Sequence, residues 1–118
     1  MAEHNTLGEK GEELACAYLA EKKYKILERK WRYKHKEIDI IAFYEGAIIF
    51  VEVKTRSSDY WGNPEESVNK KKQRFLIEAA ERYIFEKDYD MEARFDIISV
   101  IIDEQGTQIE HIEQAFYP

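Results

Sequence analysis

A chain of 118 residues with 44% apolar and 36% charged residues has the composition of one globular domain with a single modest core. No apolar run is long enough to span a bilayer, and the opening MAEHNTLGEKGEE lacks the basic start and apolar stretch of a secretory signal. The lone Cys16 excludes an internal disulfide and, beside Leu14, Ala15 and Ala17, reads as a small core residue of a protein expected in the reducing cytoplasm. In chain order, Thr6-Leu7-Gly8-Glu9 predicts a capping box that opens a helix over about 7–22, with Leu7, Leu14, Ala15, Tyr18 and Leu19 at helical spacing. YKILERKWRY (24–33) reads as a strand with polar interruptions, and 37–44 and 47–56 as two more strands. SSDYWGNPEES (57–67) has the content of a loop. Asn69 predicts the cap of a second helix whose apolar face is Phe75, Leu76, Ala79, Ala80, Tyr83 and Ile84. ARFDIISVII (93–102) reads as a buried strand, 103–106 as a turn and TQIEHIE (107–113) as a short partner strand. The order α-β-β-β-α-β-β, without repeats or linkers, predicts one α/β domain with a mixed sheet packed between helices.

The net charge of −6 argues at first against a nucleic-acid partner, but its distribution is uneven. Residues 22–76 hold 14 Lys/Arg against 8 Asp/Glu, and the remainder 4 against 16. Such asymmetry suits a polyanion-binding face on an acidic body, and equally a solvated surface. Within the basic half, EIDIIAFYEGAIIFVEVKTR (37–56) folds two apolar runs about Glu45-Gly46. A symmetric hairpin loop sets Asp39 opposite Glu52 and Glu37 opposite Lys54, all four on one face by strand alternation. Glu37 and Lys54 make an ordinary cross-strand ion pair. Asp39 and Glu52 do not, because opposed like charges destabilise a ladder and raise each other's cost of ionisation. Either one carboxyl stays protonated or a cation sits between them. Oxygen-only ligation suits Mg²⁺ or Mn²⁺. His4, His35 and His111 are scattered, read as surface residues and offer no zinc cluster.

Asp39, twelve intervening residues and then Glu52-Val53-Lys54 resemble the D…(D/E)-x-K signature of the restriction-endonuclease-like nuclease superfamily, most nearly the archaeal Holliday-junction resolvases. Across the whole chain, GEELA (11–15), EIDIIA (37–42), FVEVKTR (50–56), Lys72, RFD (94–96) and AF (115–116) resemble the YraN family of bacterial proteins, uncharacterised protein family 0102. Four positions depart from those patterns. Lys36 stands where the family pattern has Gly, Lys30 and Gln114 stand where it has Asn, and Ile38 takes the place of the superfamily proline. Lys36 puts a tight turn at that strand entrance in question.

The resemblance implies a restriction-endonuclease-like fold and phosphodiester hydrolysis with Mg²⁺ or Mn²⁺. Asp39 and Glu52 would be the metal ligands; as plain strand ends they would instead face solvent. The resemblance adds the Val53 backbone carbonyl to the ion's shell and sets Glu12 near the metal through water, a residue that otherwise complements the helix dipole. Lys54 would position the attacking water or stabilise charge on the pentavalent phosphate, or else serve only to pair Glu37. Lys72 lies near the start of the second helix, where a cation opposes the dipole; a substrate phosphate or simple surface snorkelling accounts for it. Lys70, Lys71, Arg74 and Arg56 would make generic backbone contacts. RKWRYKHK (29–36) interleaves Trp31 and Tyr33 with five Lys/Arg, including Arg32, and suits phosphate and exposed-base contact, unless Trp31 is core. Arg94 and Asp96 read as a structural pair.

The leading reading is a divalent-metal-dependent DNA endonuclease, with DNA a better substrate than RNA. Recognition would be of branched or distorted shape, since nothing resembles a major-groove helix. Cleavage of two strands would call for a homodimer. The rivals are a catalytically silent nucleic-acid-binding module and a protein-interaction scaffold on the same fold.

Overall fold

The capping box expected at Thr6 forms: the Glu9 N–H donates to Thr6 Oγ1 at 3.1 Å and the Thr6 N–H to Glu9 Oε1 at 2.9 Å. It starts α1, Leu7–Glu21. The computed structural model describes residues 6–57 and 68–118, so the loop expected over 57–67 lies almost wholly outside the described residues. Three strands follow α1, namely β1 (Lys25–Tyr33), β2 (Lys36–Tyr44) and β3 (Ala47–Arg56). Asn69 caps α2, Lys70–Lys87, by accepting from the Lys72 N–H at 2.9 Å. Strands β4 (Glu92–Asp103) and β5 (Gly106–Phe116) complete the expected order.

The sheet runs β1-β2-β3-β4-β5, with β3 and β4 parallel across the α2 connection and the other neighbours antiparallel. Between β2 and β3, Glu45 (φ 49°) and Gly46 (φ 82°) are both left-handed, as a two-residue turn matched to strand twist requires. That turn sets Ile41 opposite Phe50 and Ile40 opposite Val51, the expected register. The turn at Lys34-His35 closes on the Tyr33–Lys36 pair with Lys34 at φ 57°. Lys36 is therefore no obstacle to a tight turn, because the left-handed residue is Lys34.

Side-chain alternation divides the core into two clusters. Ile48, Phe50, Phe95 and Ile97 pack with Leu76, Ala79 and Tyr83 of α2, whereas Ile49, Val51, Ile98 and Val100 pack with Ala15 and Leu19 of α1. The helices therefore cover opposite faces, and central β3 and β4 are apolar on both sides, which explains their nearly continuous hydrophobic runs. Among the described residues, no helix is long and apolar enough to cross a membrane.

Candidate metal centre

The β2–β3 ladder ends at Ile40–Val51, one residue short of Asp39 and Glu52. Beyond that pair the Val53 N–H donates to Asp39 Oδ2 at 2.8 Å, so a carboxylate takes the place of a ladder partner. Alternation fails at the same point. Ile38 joins Ile41 in the cluster under α2, while Ile40 and Ala42 belong to the cluster under α1. The break is matched on β1, where Lys30, lying between the Arg29–Ile40 and Trp31–Ile38 pairs, has φ 54°. Asp39 thus sits at a discontinuity in the sheet where groups from both faces reach it: Glu52 from β3 and Glu12 from α1.

Glu12 owes its position to its neighbour. A Cβ on Gly11 would stand 1.8 Å from Thr55 Oγ1, so only glycine lets α1 lie this close to β3. Burial, then the charge of Glu52, pushes the Asp39 carboxyl up to about 7, against the opposing influence of the Val53 N–H and Lys72. Burial, then the charge of Asp39, also raises Glu12. Glu12 Oε1 and Glu52 Oε1 are both buried without a hydrogen-bond partner. The two opposed carboxylates expected from the hairpin register are therefore electrostatic neighbours, with a third added by the helix.

The expected Glu37–Lys54 ion pair does not form. Glu37 is exposed and faces Arg32 at 3.5 Å, and exposed Lys54 makes no ion pair with a described residue. The ladder has already ended, so the register no longer forces these side chains together. A different pair forms nearby: Lys72 Nζ lies 3.0 Å from Glu52 Oε2.

Among the described residues, no group of three or more His, Cys, Asp and Glu assembles into a metal-binding cluster. The donors fit an open site rather than a closed cage: one or two carboxylates, with water and substrate phosphate left to complete the shell, is the usual Mg²⁺ arrangement. All the donors are oxygens, which favours Mg²⁺ or Mn²⁺ over zinc. Val53, whose carbonyl the resemblance adds to the shell, is held at Asp39 by its own N–H.

The expected nucleic-acid residues differ in their surroundings. Lys70, Lys71 and Arg74 are exposed on the first turns of α2. Arg56 donates from Nη2 to Ser99 Oγ at 3.4 Å. Trp31 lies edge-on to Tyr83, 5.1 Å between ring centroids, and packs against the core under α2. Arg29 and Lys30, which sequence reading placed only in a basic run, lie 3.9 and 3.8 Å from Glu12 Oε1. No strand pattern reveals that a helical carboxylate lies beside them.

His111 corrects the surface assignment. Its side chain is 6% exposed, and its Nε2 lies 2.7 Å from Asp96 Oδ2. With Nε2–H donating to Asp96, Nδ1 accepts from the Tyr18 hydroxyl at 3.2 Å. Arg94 grips the same carboxylate from Nε at 2.9 Å and Nη2 at 2.7 Å, so the expected Arg94–Asp96 pair is present within a larger network.

A model of Uncharacterised protein family UPF0102 matches residues 11–100, a span that contains Glu12, Asp39, Glu52, Lys54 and Lys72. The chain belongs to this family. It is 50% identical over 117 residues to the UPF0102 protein of Christiangramia forsetii, covering 99% of this chain and 98% of that one. It is 47% identical over 118 residues to the UPF0102 protein of Phocaeicola vulgatus, covering 100% and 98%. The UPF0102 protein FP2501 of Flavobacterium psychrophilum is 47% identical over 117 residues, covering 99% and 98%. UPF0102 membership carries no reaction with it, so chemistry must come from the site.

Proposed function

We propose that this UPF0102 protein is a divalent-metal-dependent DNA endonuclease, acting on branched or otherwise distorted DNA. The observation that carries the reading is that the charge of Asp39 acts on both Glu52 and Glu12 where β2 and β3 part, with Glu12 and Glu52 each presenting a buried oxygen that has no hydrogen-bond partner. Carboxylates gathered in this way cost free energy unless a cation completes them.

Asp39 and Glu52 would hold Mg²⁺ or Mn²⁺, and Glu12 would orient water beside it. What such an ion supplies when bound is polarisation of the phosphodiester and acidification of the attacking water. Lys54, two residues beyond Glu52 and exposed, is free to meet the charge that develops on phosphorus. Lys70, Lys71, Arg74, Arg56 and Arg32 would hold the DNA backbone without reading its sequence. A homodimer would supply the second cut of a two-stranded cleavage.

The test is incubation of purified protein with end-labelled four-way-junction and linear DNA, with Mg²⁺ or Mn²⁺. Cleavage of the junction is expected, reduced by about 10²-fold or more in Lys54→Ala, the scale of removing one group that stabilises transition-state charge. Absence of any Lys54-dependent cleavage refutes the proposal. Salt-sensitive DNA binding that survives chelation, Asp39→Asn and Glu52→Gln would instead identify a binding module.

A further inference from the structure

The ammonium of Lys72 lies 3.0 Å from Glu52 Oε2, at the carboxylate that the proposed function assigns to a metal ion. Three features mark the contact as something other than a surface ion pair. Both partners are sheltered, with side chains 33% and 16% exposed. They come from different layers, Lys72 from the first turn of α2 and Glu52 from β3. The lysine also occupies a poor place for a cation: the first turn of α2 has no acidic residue, and Lys70 and Lys71 precede Lys72 at the positive end of the helix. Glu52 therefore offsets repulsion that nothing in the helix itself relieves.

The other cations near the three carboxylates are less closely engaged. Arg29 and Lys30 approach Glu12 only at 3.9 and 3.8 Å, beyond hydrogen-bond distance. Lys72 alone among these makes direct contact, and it does so on one oxygen, leaving Glu52 Oε1 buried and without a hydrogen-bond partner.

From this placement, and resting on the metal-centre reading, we infer that Lys72 is the resident counter-cation of the site: a divalent ion must displace its ammonium from Glu52, and a substrate phosphate receives the ammonium once displaced. The lysine thereby couples the two loading events. Before substrate arrives it competes with the metal. When a phosphate draws the ammonium off, Glu52 is released to the ion, so metal and nucleic acid load together. A lysine has the means to make this exchange, because its charge sits at the end of a flexible four-carbon stem.

The experiment is calorimetric titration of Mn²⁺ into the whole chain as wild type, Lys72→Met, Lys72→Gln and Asp39→Asn, without nucleic acid. Lys72→Met and Lys72→Gln are expected to bind Mn²⁺ 5- to 50-fold more tightly than wild type, and their thermal midpoints to rise more on Mn²⁺ addition. Asp39→Asn is expected to lose binding. A second titration repeats the wild type and Lys72→Met with a short single-stranded oligodeoxynucleotide present. The oligonucleotide should tighten Mn²⁺ binding in the wild type and leave Lys72→Met unchanged. Unchanged or weaker Mn²⁺ affinity in both Lys72 variants, with binding still dependent on Asp39, overturns the counter-cation role and leaves the metal centre standing. Absence of Asp39-dependent Mn²⁺ binding in every form overturns the metal centre and this role with it. Tighter binding in the variants without the oligonucleotide effect overturns the coupling.

Discussion

Asp39 carries opposite demands from folding and from chemistry. With its folded carboxyl pushed up to about 7, the native metal-free protein keeps a proton that the unfolded chain releases near pH 4. Stability from this residue is therefore complete below about pH 4, declines as pH rises through about 7, and is level above that. Asp39→Asn keeps an oxygen for the Val53 N–H and removes the titration. In urea unfolding without metal it should exceed wild type by about 1–3 kcal/mol at pH 8 and match it near pH 4. A variant that is less stable than wild type at pH 8 would contradict the proposed strain. A second residue-scale prediction concerns backbone conformation. Lys30 (φ 54°) and Gln114 (φ 49°) are both left-handed. Asn visits that region more readily than residues with longer side chains. Gln114→Asn should raise stability by about 0.5–1 kcal/mol in the same assay, since the bond from the residue's N–H to Asp96 Oδ1 is untouched.

Elements bring the site together through one close approach. α1 reaches Asp39 only because Gly11 lies against Thr55, and Glu12 follows from that contact. Gly11→Ala forces the helix off the sheet and should cost about 1–3 kcal/mol of stability, as overpacking does. Gly8→Ala is the control, because its Cβ would meet nothing nearer than Thr6 Oγ1 at 3.9 Å. Equal losses in the two variants, measured by chemical denaturation, would contradict the argument. The elements themselves were legible: the capping box, the Asn69 cap, the hairpin register and the central strands all follow local rules. What strict alternation could not show is the break that carries Ile38 into the cluster under α2, which depends on a left-handed residue in the facing strand. The same break explains why Glu37 and Lys54 do not meet.

Over the whole molecule, Asp96 of β4 gathers Arg94, His111 and the Gln114 N–H, and His111 in turn meets Tyr18 of α1. Burial opposes its charge, yet His111, Arg94 and the Gln114 N–H together hold its carboxyl below the usual range. Stability from Asp96 is therefore present above the ordinary carboxylate range and is lost as pH falls through its lowered value, the reverse of Asp39. Asp96→Asn leaves Arg94 only the exposed Glu113 at 3.7 Å as a charged partner and should cost about 3–5 kcal/mol, the scale for breaking a buried ion pair, measured by urea unfolding at neutral pH. A loss under about 1 kcal/mol would mean that the network is as weak as a surface pair. RFD was readable as a pair because its two charges are two residues apart on one strand face. His111 was not, because β5 meets β4 only when the sheet closes. By itself the sequence determined the element order, the turns and the hairpin register that brings Asp39 toward Glu52, since periodicity, capping and hairpin register act over short stretches of chain. Tertiary structure alone decided that Lys72 meets Glu52, that Arg29 and Lys30 lie beside Glu12, and that the His111 side chain is enclosed beside Asp96. Each of those outcomes depends on where two separately formed elements come to rest against each other, and no local pattern records that.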